Sequence, residues 1–315
     1  MEPRHDTVLL QESVDALVIA PGDIVVDATL GGAGHFKLIL SKLGAKNTLM
    51  GIDADTQAIE RAQKVVTEAG SPADVRLVEG NFKDLGAILD AQNIKEIDKI
   101  LFDLGWSGFQ LALGRGFSFR VDEPLSMTYG DPEASTNAKD LVNHLSEESL
   151  ADLIFTLGEE RFARGIARSI VEAREEKEIE TTFELVAAIE AGTPSWYHHR
   201  RLHPATKTFQ ALRIAVNDEL GALREGLAVA LARLAPGGRI AVISFHSIED
   251  RIVKSTLRDA AHECGTLVTR KPIVPSSAET AQNPRARSAK LRVYERSMSC
   301  AVLAASSNNL MSTYA

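Results

Sequence analysis

The stretch Asp27-Ala-Thr-Leu-Gly-Gly-Ala-Gly34 closes the β-branched, apolar run Ile24–Leu30 and leads into a helix-period segment, His35–Leu43. A strand that passes through a small-residue turn into a helix is the first half of a strand–helix–strand crossover. Working outward, further apolar runs bounded by Gly, Asp or Pro fall at Thr48–Asp53, Val75–Val78, Lys99–Leu104 and Arg239–Phe245, with helix-period segments at Thr56–Ala69 and Lys83–Ala91. This alternation specifies an α/β protein with a parallel sheet and right-handed crossovers. A helix over Asn217–Leu234 precedes the fifth strand and should stop at Pro236-Gly-Gly238. A last strand pair is expected at Thr266–Arg270 and Lys290–Arg296.

The rhythm breaks between the fourth and fifth strands, where about 130 residues stand in place of one crossover helix. Most of them read as helix: Ala138–Asn143, Ser149–Leu157, Glu160–Glu176 and Thr182–Ala191, with Ser146-Glu-Glu-Ser149 as a helix start. The expected organisation is a discontinuous sheet domain, residues 1–107 and 201–297, with a helical insertion at residues 108–200. Residues 298–315 are Ser/Asn/Ala-rich and should form a flexible tail.

Composition narrows the class. The chain's 315 residues are 44% hydrophobic and 25% charged, as in a soluble globular protein. The Met1-Glu-Pro-Arg-His-Asp6 start lacks the build of a signal peptide, and no apolar run is long enough to cross a bilayer. Cys264 and Cys300 suggest neither a disulfide framework nor a metal knuckle, so a cytoplasmic location is expected. Net charge is −8, yet basic residues cluster. Trp196 to Arg213 holds Arg200, Arg201, Lys207 and Arg213 with three histidines and no acid, and Arg285 to Arg296 holds five Lys/Arg against Glu295. Such clusters on an acidic chain read either as a local anion-binding footprint or as solvated surface.

The candidate site follows from the strand ends. Gly31, Gly32 and Gly34 do not match the dinucleotide pattern, and Asp27 stands four residues before the first of them. An acid followed by glycines suits the zwitterionic methionine end of S-adenosylmethionine better than a pyrophosphate. Asp53 ends the second strand about 20 residues further on, where an acid binds a ribose diol. Asp55 competes for that role, and either acid could instead cap the helix at Thr56. Gly80-Asn-Phe82 ends the third strand and offers an aromatic for adenine, or simply a core ring. The fourth ends in Phe102-Asp103-Leu-Gly-Trp106-Ser107, where Asp103 can accept from an amine being methylated and Trp106 can stack its base. Direct displacement from a sulfonium needs no metal, and alignment supplies much of the rate. His198, His199 and His203 have no neighbouring Cys or acid, so no metal site is expected. Ser244-Phe-His246-Ser247 lacks a nucleophile elbow.

Several longer motifs extend this pattern: His5-Asp-Thr-Val-Leu-Leu10, Asp27–His35, Gly114-Arg-Gly-Phe-Ser-Phe119, Gly158-Glu-Glu-Arg-Phe162, His203–Arg213, Ser244–Arg251 and Asn283-Pro-Arg-Ala-Arg-Ser288. In these, over residues 5–296, the chain resembles the bacterial 16S ribosomal RNA cytosine-N4 methyltransferases, the RsmH (MraW) family. The resemblance implies a Rossmann-like class I S-adenosylmethionine-dependent methyltransferase fold with an inserted small helical domain. It implies S-adenosylmethionine held by Ala33, Gly34, His35, Asp53, Phe82, Asp103 and Gln110, and a decoding-region cytosine of the 16S rRNA in the small ribosomal subunit as target. Arg200, Arg201, His203, Lys207, Arg213, Arg285 and Arg287 are then the expected RNA contacts, with Trp196 and Tyr197 for stacking. Two segments depart from the family. Asp103-Leu-Gly-Trp-Ser-Gly-Phe-Gln-Leu-Ala112 replaces a usual D-L-G-V-S-S-x-Q-L-D, and Pro124-Leu-Ser-Met-Thr-Tyr-Gly130 replaces P-L-D-M-R-M-D. A DNA or other RNA amine, or a module that binds the donor without catalysis, are the alternatives. Oligomeric state is not legible in the sequence.

Overall fold

The computed structural model describes residues 7–105, 114–129 and 136–300. The strands are β1 (Ile24–Asp27), β2 (Thr48–Asp53), β3 (Asp74–Glu79), β4 (Ile97–Asp103), β5 (Leu234–Ser244), β6 (Gly265–Leu267) and β7 (Lys290–Arg296). They form one sheet in the order β3-β2-β1-β4-β5-β7-β6. β1 to β5 run parallel, and β7 lies antiparallel to both β5 and β6. This is the Rossmann-like order with a reversed strand near one edge, the class I arrangement that the resemblance implies. Asp27 pairs across to Gly51 and Leu101, and Asp103 to Ile243, so the carboxyl ends of β2, β1, β4 and β5 stand side by side. The strand order reverses between β1 and β4, which is where open α/β sheets bind ligands.

The strands are apolar on both faces because helices cover both. Val25, Leu49, Leu101 and Ala241 point to one side, with Val14 and Leu17 of the helix Leu10–Leu17 and Phe36 and Ile39 of the helix Gly34–Ser41. Val26, Met50, Ile52, Ile100, Phe102 and Val242 point to the other, with Leu85, Leu89, Leu223 and Leu227. Each Val, Leu, Ile, Phe or Met among them, fully buried, stabilises the fold by about 1.5–3 kcal/mol.

Two details of the sheet unit differ from expectation. Pro236-Gly-Gly238 does not separate helix from strand, because the helix Glu219–Arg233 passes directly into β5 at Leu234. The pairing jumps from Ile97↔Leu234 to Lys99↔Arg239, so the proline and glycines sit in an irregularity where a missing N–H breaks no ladder. Cys264 and Cys300, expected to be unpaired, are bonded to each other with Cα atoms 5.9 Å apart. Cys264 ends a helix and Cys300 follows β7. The pairing of Gly265 with Arg296 brings those chain ends together, which linear spacing does not reveal. The bond removes the cysteine argument for a reducing compartment. No helix among the described residues is long and apolar enough to cross a membrane.

The chain divides into two units: Asp6–Gly105 with Gly221–Ala315, which carries the sheet, and Met1–His5 with Trp106–Leu220, which is helical. The helical unit therefore runs past residue 200, to Leu220. The helix Thr206–Asn217 belongs to it because Phe209 and Leu212 join Leu150, Ile154, Ile166, Ile170 and Leu185 in its core. Close approach there requires Gly158, whose added Cβ would stand 2.6 Å from the Lys207 carbonyl oxygen. Asn137 and Thr181 cap their helices reciprocally with Asp140 and Glu184, and Ser146 accepts from the Ser149 N–H as its sequence suggested.

Candidate functional site

The turn after β1 is held in a conformation that side chains rarely adopt. Gly31 has φ 47° and Ala33, only 2% exposed, has φ 60°. A left-handed alanine costs free energy and persists because its surroundings fix it. The Gly31 N–H donates to Asp53 Oδ2 at 2.8 Å, so the acid ending β2 clamps the glycine turn after β1. Asp53 Oδ1 accepts from the Asp55 N–H at 2.9 Å. Asp55 is the helix cap, accepting from Gln57 N–H at 3.0 Å and pairing with Arg61 at 3.3 Å. Of the two acids, Asp55 therefore starts the helix, and Asp53 stays at the sheet edge. Burial raises the Asp53 pKa above the usual carboxylate range, against the pull of its two N–H donors.

Asp27, His35 and Asp103 converge beside this turn. The His35 imidazole is buried, with Nδ1 3.4 Å from Asp103 Oδ2 and Nε2 3.2 Å from the Val8 carbonyl. Both ring nitrogens face acceptors, an arrangement that the doubly protonated ring satisfies. Burial opposes that charge, but Asp103, Asp27 and the Val8 carbonyl outweigh it and hold the pKa above the usual imidazole value. Asp27 is fully buried, and burial pushes its pKa up to about 7 against the attraction of His35. The Asp103 N–H donates to Thr29 Oγ1 at 2.7 Å, fixing the end of β4 to the turn after β1. Asp27 Oδ2 and Asp103 Oδ1 are buried with no hydrogen-bond partner among the described residues. Two unsatisfied acceptors in one place cost free energy until a donor group arrives. A cationic ligand with several N–H groups meets that demand.

Phe82 follows β3 and stands half-buried, edge-on to Phe102 at 5.6 Å. Gly226 makes room for it, since an added Cβ would come within 2.7 Å of the Phe82 ring. The site also uses residues to which the sequence alone gave no role. Thr7 lies against the glycine turn, where a Cβ on Gly34 would stand 1.9 Å from its Oγ1, and Val8 supplies the carbonyl to His35. The His5–Leu10 motif was the available signal. Trp106 and Gln110 lie outside the described residues.

The basic residues divide between the units. In the helical unit, Arg200 lies 5.5 Å from the Tyr197 ring and Arg201 is exposed. His203 stacks on Phe119 at 4.7 Å, and Lys207 donates to the Glu159 carbonyl at 2.6 Å. Arg213 does not fit the expected role, because it is buried and paired with Glu219 at 2.8 Å, so a phosphate could reach it only by breaking that pair. In the sheet unit, Arg285 and Arg287 are exposed, whereas Lys290 and Arg292 are held by Asp250 at 2.8 and 2.7 Å. His198 engages Thr193, and His246 caps the helix Ser247–Cys264, which accounts for the Ser-His adjacency. In the divergent segment Pro124–Gly130, Tyr129 takes a holding role: its hydroxyl donates to Glu219 at 2.6 Å and its ring stacks on Phe117.

The sequence model of the MraW methylase family matches residues 2–297. The chain is 50% identical over 293 residues to the ribosomal RNA small subunit methyltransferase H of Deinococcus radiodurans, covering 93% of this chain and 89% of that protein. It is 45% identical to the protein of the same name from Brevibacillus brevis, covering 93% and 98%. Against that of Acetivibrio thermocellus the identity is 44%, covering 94% and 100%.

Proposed function

The chain belongs to the MraW methylase family, and from that membership we propose that it transfers the methyl group of S-adenosylmethionine to the exocyclic N4 of a cytosine in 16S ribosomal RNA. The observation that carries this reading is the pair of unsatisfied buried oxygens on Asp27 and Asp103 beside the strained Ala33 turn. An α-ammonium group supplies the missing donors, and the small residues Ala33 and Gly34 leave backbone open to the methionine end of the ligand. Asp53 has lone pairs left for a ribose diol, and Phe82 offers an adenine a ring edge and face. Gln110 joins this set by the family resemblance. Bound S-adenosylmethionine supplies an activated methyl on a sulfonium, so the protein needs to align groups rather than form a covalent bond.

Asp103 keeps one oxygen on His35, and its other oxygen, without a partner among the described residues, has lone-pair capacity left for an incoming N–H group. An exocyclic cytosine amine is a poor nucleophile because its lone pair is delocalised. An acceptor on its N–H lets charge leave nitrogen as the N–C bond forms and the S–C bond breaks. His35 anchors Asp103, and Trp106 stacks the base. The helical unit serves target recognition, with Arg200, Arg201, His203 and Lys207 toward phosphates and Arg285 and Arg287 as contacts from the sheet unit. Such a target implies a cytoplasmic enzyme that works on the small ribosomal subunit. The test is mass spectrometry of small-subunit RNA after incubation with the purified protein and isotope-labelled donor. A single labelled cytosine N4 is expected. Label on DNA or on adenine, with none on that RNA, would replace the target while keeping the donor. No transfer to any amine would leave only a donor-binding module.

A further inference from the structure

The helical unit carries a second concentration of chemistry around Trp196, whose indole is 53% exposed. Its exposure has a built support. Trp196 packs edge-on against Phe162 and Tyr197, both at 5.9 Å, and those two rings meet at 4.9 Å. The Arg161 guanidinium lies 4.7, 4.8 and 5.5 Å from the centroids of Phe162, Trp196 and Tyr197, and Arg200 adds a second guanidinium 5.5 Å from Tyr197. Beneath them, the fully buried Glu160 accepts from the Tyr197 hydroxyl at 2.6 Å and from the Phe162 N–H at 3.0 Å. That acid fixes the rings. Among the described residues it forms no ion pair with either arginine, and Arg161 and Arg200 have no other carboxylate partner.

We propose that Arg161, Trp196 and Arg200 form a stacking cradle for an unpaired base of the RNA strand, a proposal that rests on the RNA reading above. Three features point to this occupant. An indole offers a base a face of matching size, and stacking on it is tolerant of sequence. A guanidinium already seated on aromatic faces keeps its N–H edge for phosphate oxygens and loses little freedom in binding them. The charge is also right: Arg161 lies over the Trp196 ring and Arg200 over the neighbouring Tyr197, two cations without an ion-pair partner among the described residues, on a chain whose net charge is −8. A duplex cannot use the cradle, because its bases are stacked on one another.

The chain has two tryptophans, Trp106 and Trp196, so a Trp106→Phe protein reports fluorescence from Trp196 alone. It is titrated with a short single-stranded oligoribonucleotide of mixed sequence and with the same strand annealed to its complement. The single strand should quench the emission and the duplex should not. In the otherwise native protein, Trp196→Ala should weaken binding of the single strand about tenfold and Trp196→Phe much less. Arg161→Ala should weaken it and flatten its salt dependence. Calorimetric binding of S-adenosylmethionine, unchanged in each variant, shows that the fold survives. Affinity of Trp196→Ala within about twofold of the native protein overturns the cradle, as does equal quenching by the duplex. Quenching by intact small subunits but not by RNA would assign the surface to a protein partner and also overturn it. Methylation of small-subunit RNA is measured alongside. If it proceeds while Trp196→Ala binds normally, only the cradle falls. If the native protein does not methylate RNA, the underlying reading falls, and binding that still depends on Trp196 would leave the cradle standing.

Discussion

Asp53 does two things with one carboxylate: it fixes the Gly31 N–H and keeps acceptor capacity at the sheet edge. Asp53→Ala should therefore weaken S-adenosylmethionine binding by about 1.5–3 kcal/mol, since it removes charge-assisted hydrogen bonds and loosens the turn. Asp55→Ala is the matched control: it removes a helix cap and should lower stability by about 1 kcal/mol with donor affinity intact. Calorimetry and thermal melts on both variants decide it, and equal donor affinity in Asp53→Ala would move the ribose contact elsewhere. Asp27 makes a separate pH prediction. Its pKa rises from 3.8 to about 7 in the folded chain, so folding takes up a proton and stability declines as pH rises across that window. His35 adds a loss in the same direction, because the stability from its raised pKa is present below the usual imidazole value and disappears as pH passes the raised one. Asp27→Asn removes the first of these, so relative to the native protein it should be more stable at pH 7.5 than at pH 4.5 by about 3 kcal/mol. A difference between the two proteins that stays constant with pH would mean that Asp27 ionises normally. Strand-end acids could be read from sequence because each ends an apolar run. The pairing of His35 with Asp103 could not, because it joins residues far apart in the chain.

At the scale of elements, the segment preceding the first helix acts as a strap across the glycine turn. Thr7 occupies the space a side chain on Gly34 would need, and the Val8 carbonyl holds His35. Gly34→Ala should cost about 1–3 kcal/mol through overpacking and reduce donor affinity as the turn shifts. Adding Thr7→Ala should restore part of both, although a Thr7 Cβ 2.9 Å from the new methyl leaves some strain. Melting and calorimetry of the single and double variants measure this, and additive losses would mean that the strap and the turn are independent. Element existence was legible wherever apolar period and breakers agreed, as at Thr48–Asp53, Thr56–Ala69 and Lys290–Arg296, where the bounds match. It failed where tertiary pairing overrode a local signal. Pro236-Gly-Gly238 reads as a break, yet the chain is already paired to β4 at Leu234. The helix Thr206–Asn217 was hidden in a basic stretch read for charge, and only its buried Phe209 and Leu212 show why it joins the helical unit.

For the molecule as a whole, the proposed RNA target poses the question of how a chain of net charge −8 would hold a polyanion, and the answer depends on which cations are uncommitted. Counting basic residues in the sequence put Arg213 beside Arg200 and Arg201, but burial separates them. Arg213 is half of a buried pair, and Arg213→Ala would leave Glu219 with the Tyr129 hydroxyl but without its cation, at a cost of about 3 kcal/mol. Its effect on RNA binding should come only through the fold. Arg200 and Arg201 are exposed, so replacing both by Ala should leave the melting temperature nearly unchanged. Their contribution is electrostatic and therefore visible in salt. For every phosphate that forfeits its arginine, the slope of log affinity against log salt for single-stranded RNA should flatten by about 0.7. The two variants thus make opposite pairs of observations: Arg213→Ala shifts the melt and keeps the slope, whereas the Arg200/Arg201 pair keeps the melt and shifts the slope. Donor affinity separates a local effect from a global one, since it should survive the Arg200/Arg201 exchange intact. An unchanged slope in that pair, with normal methylation, would make those arginines solvated surface and shift the phosphate contacts to Arg285 and Arg287.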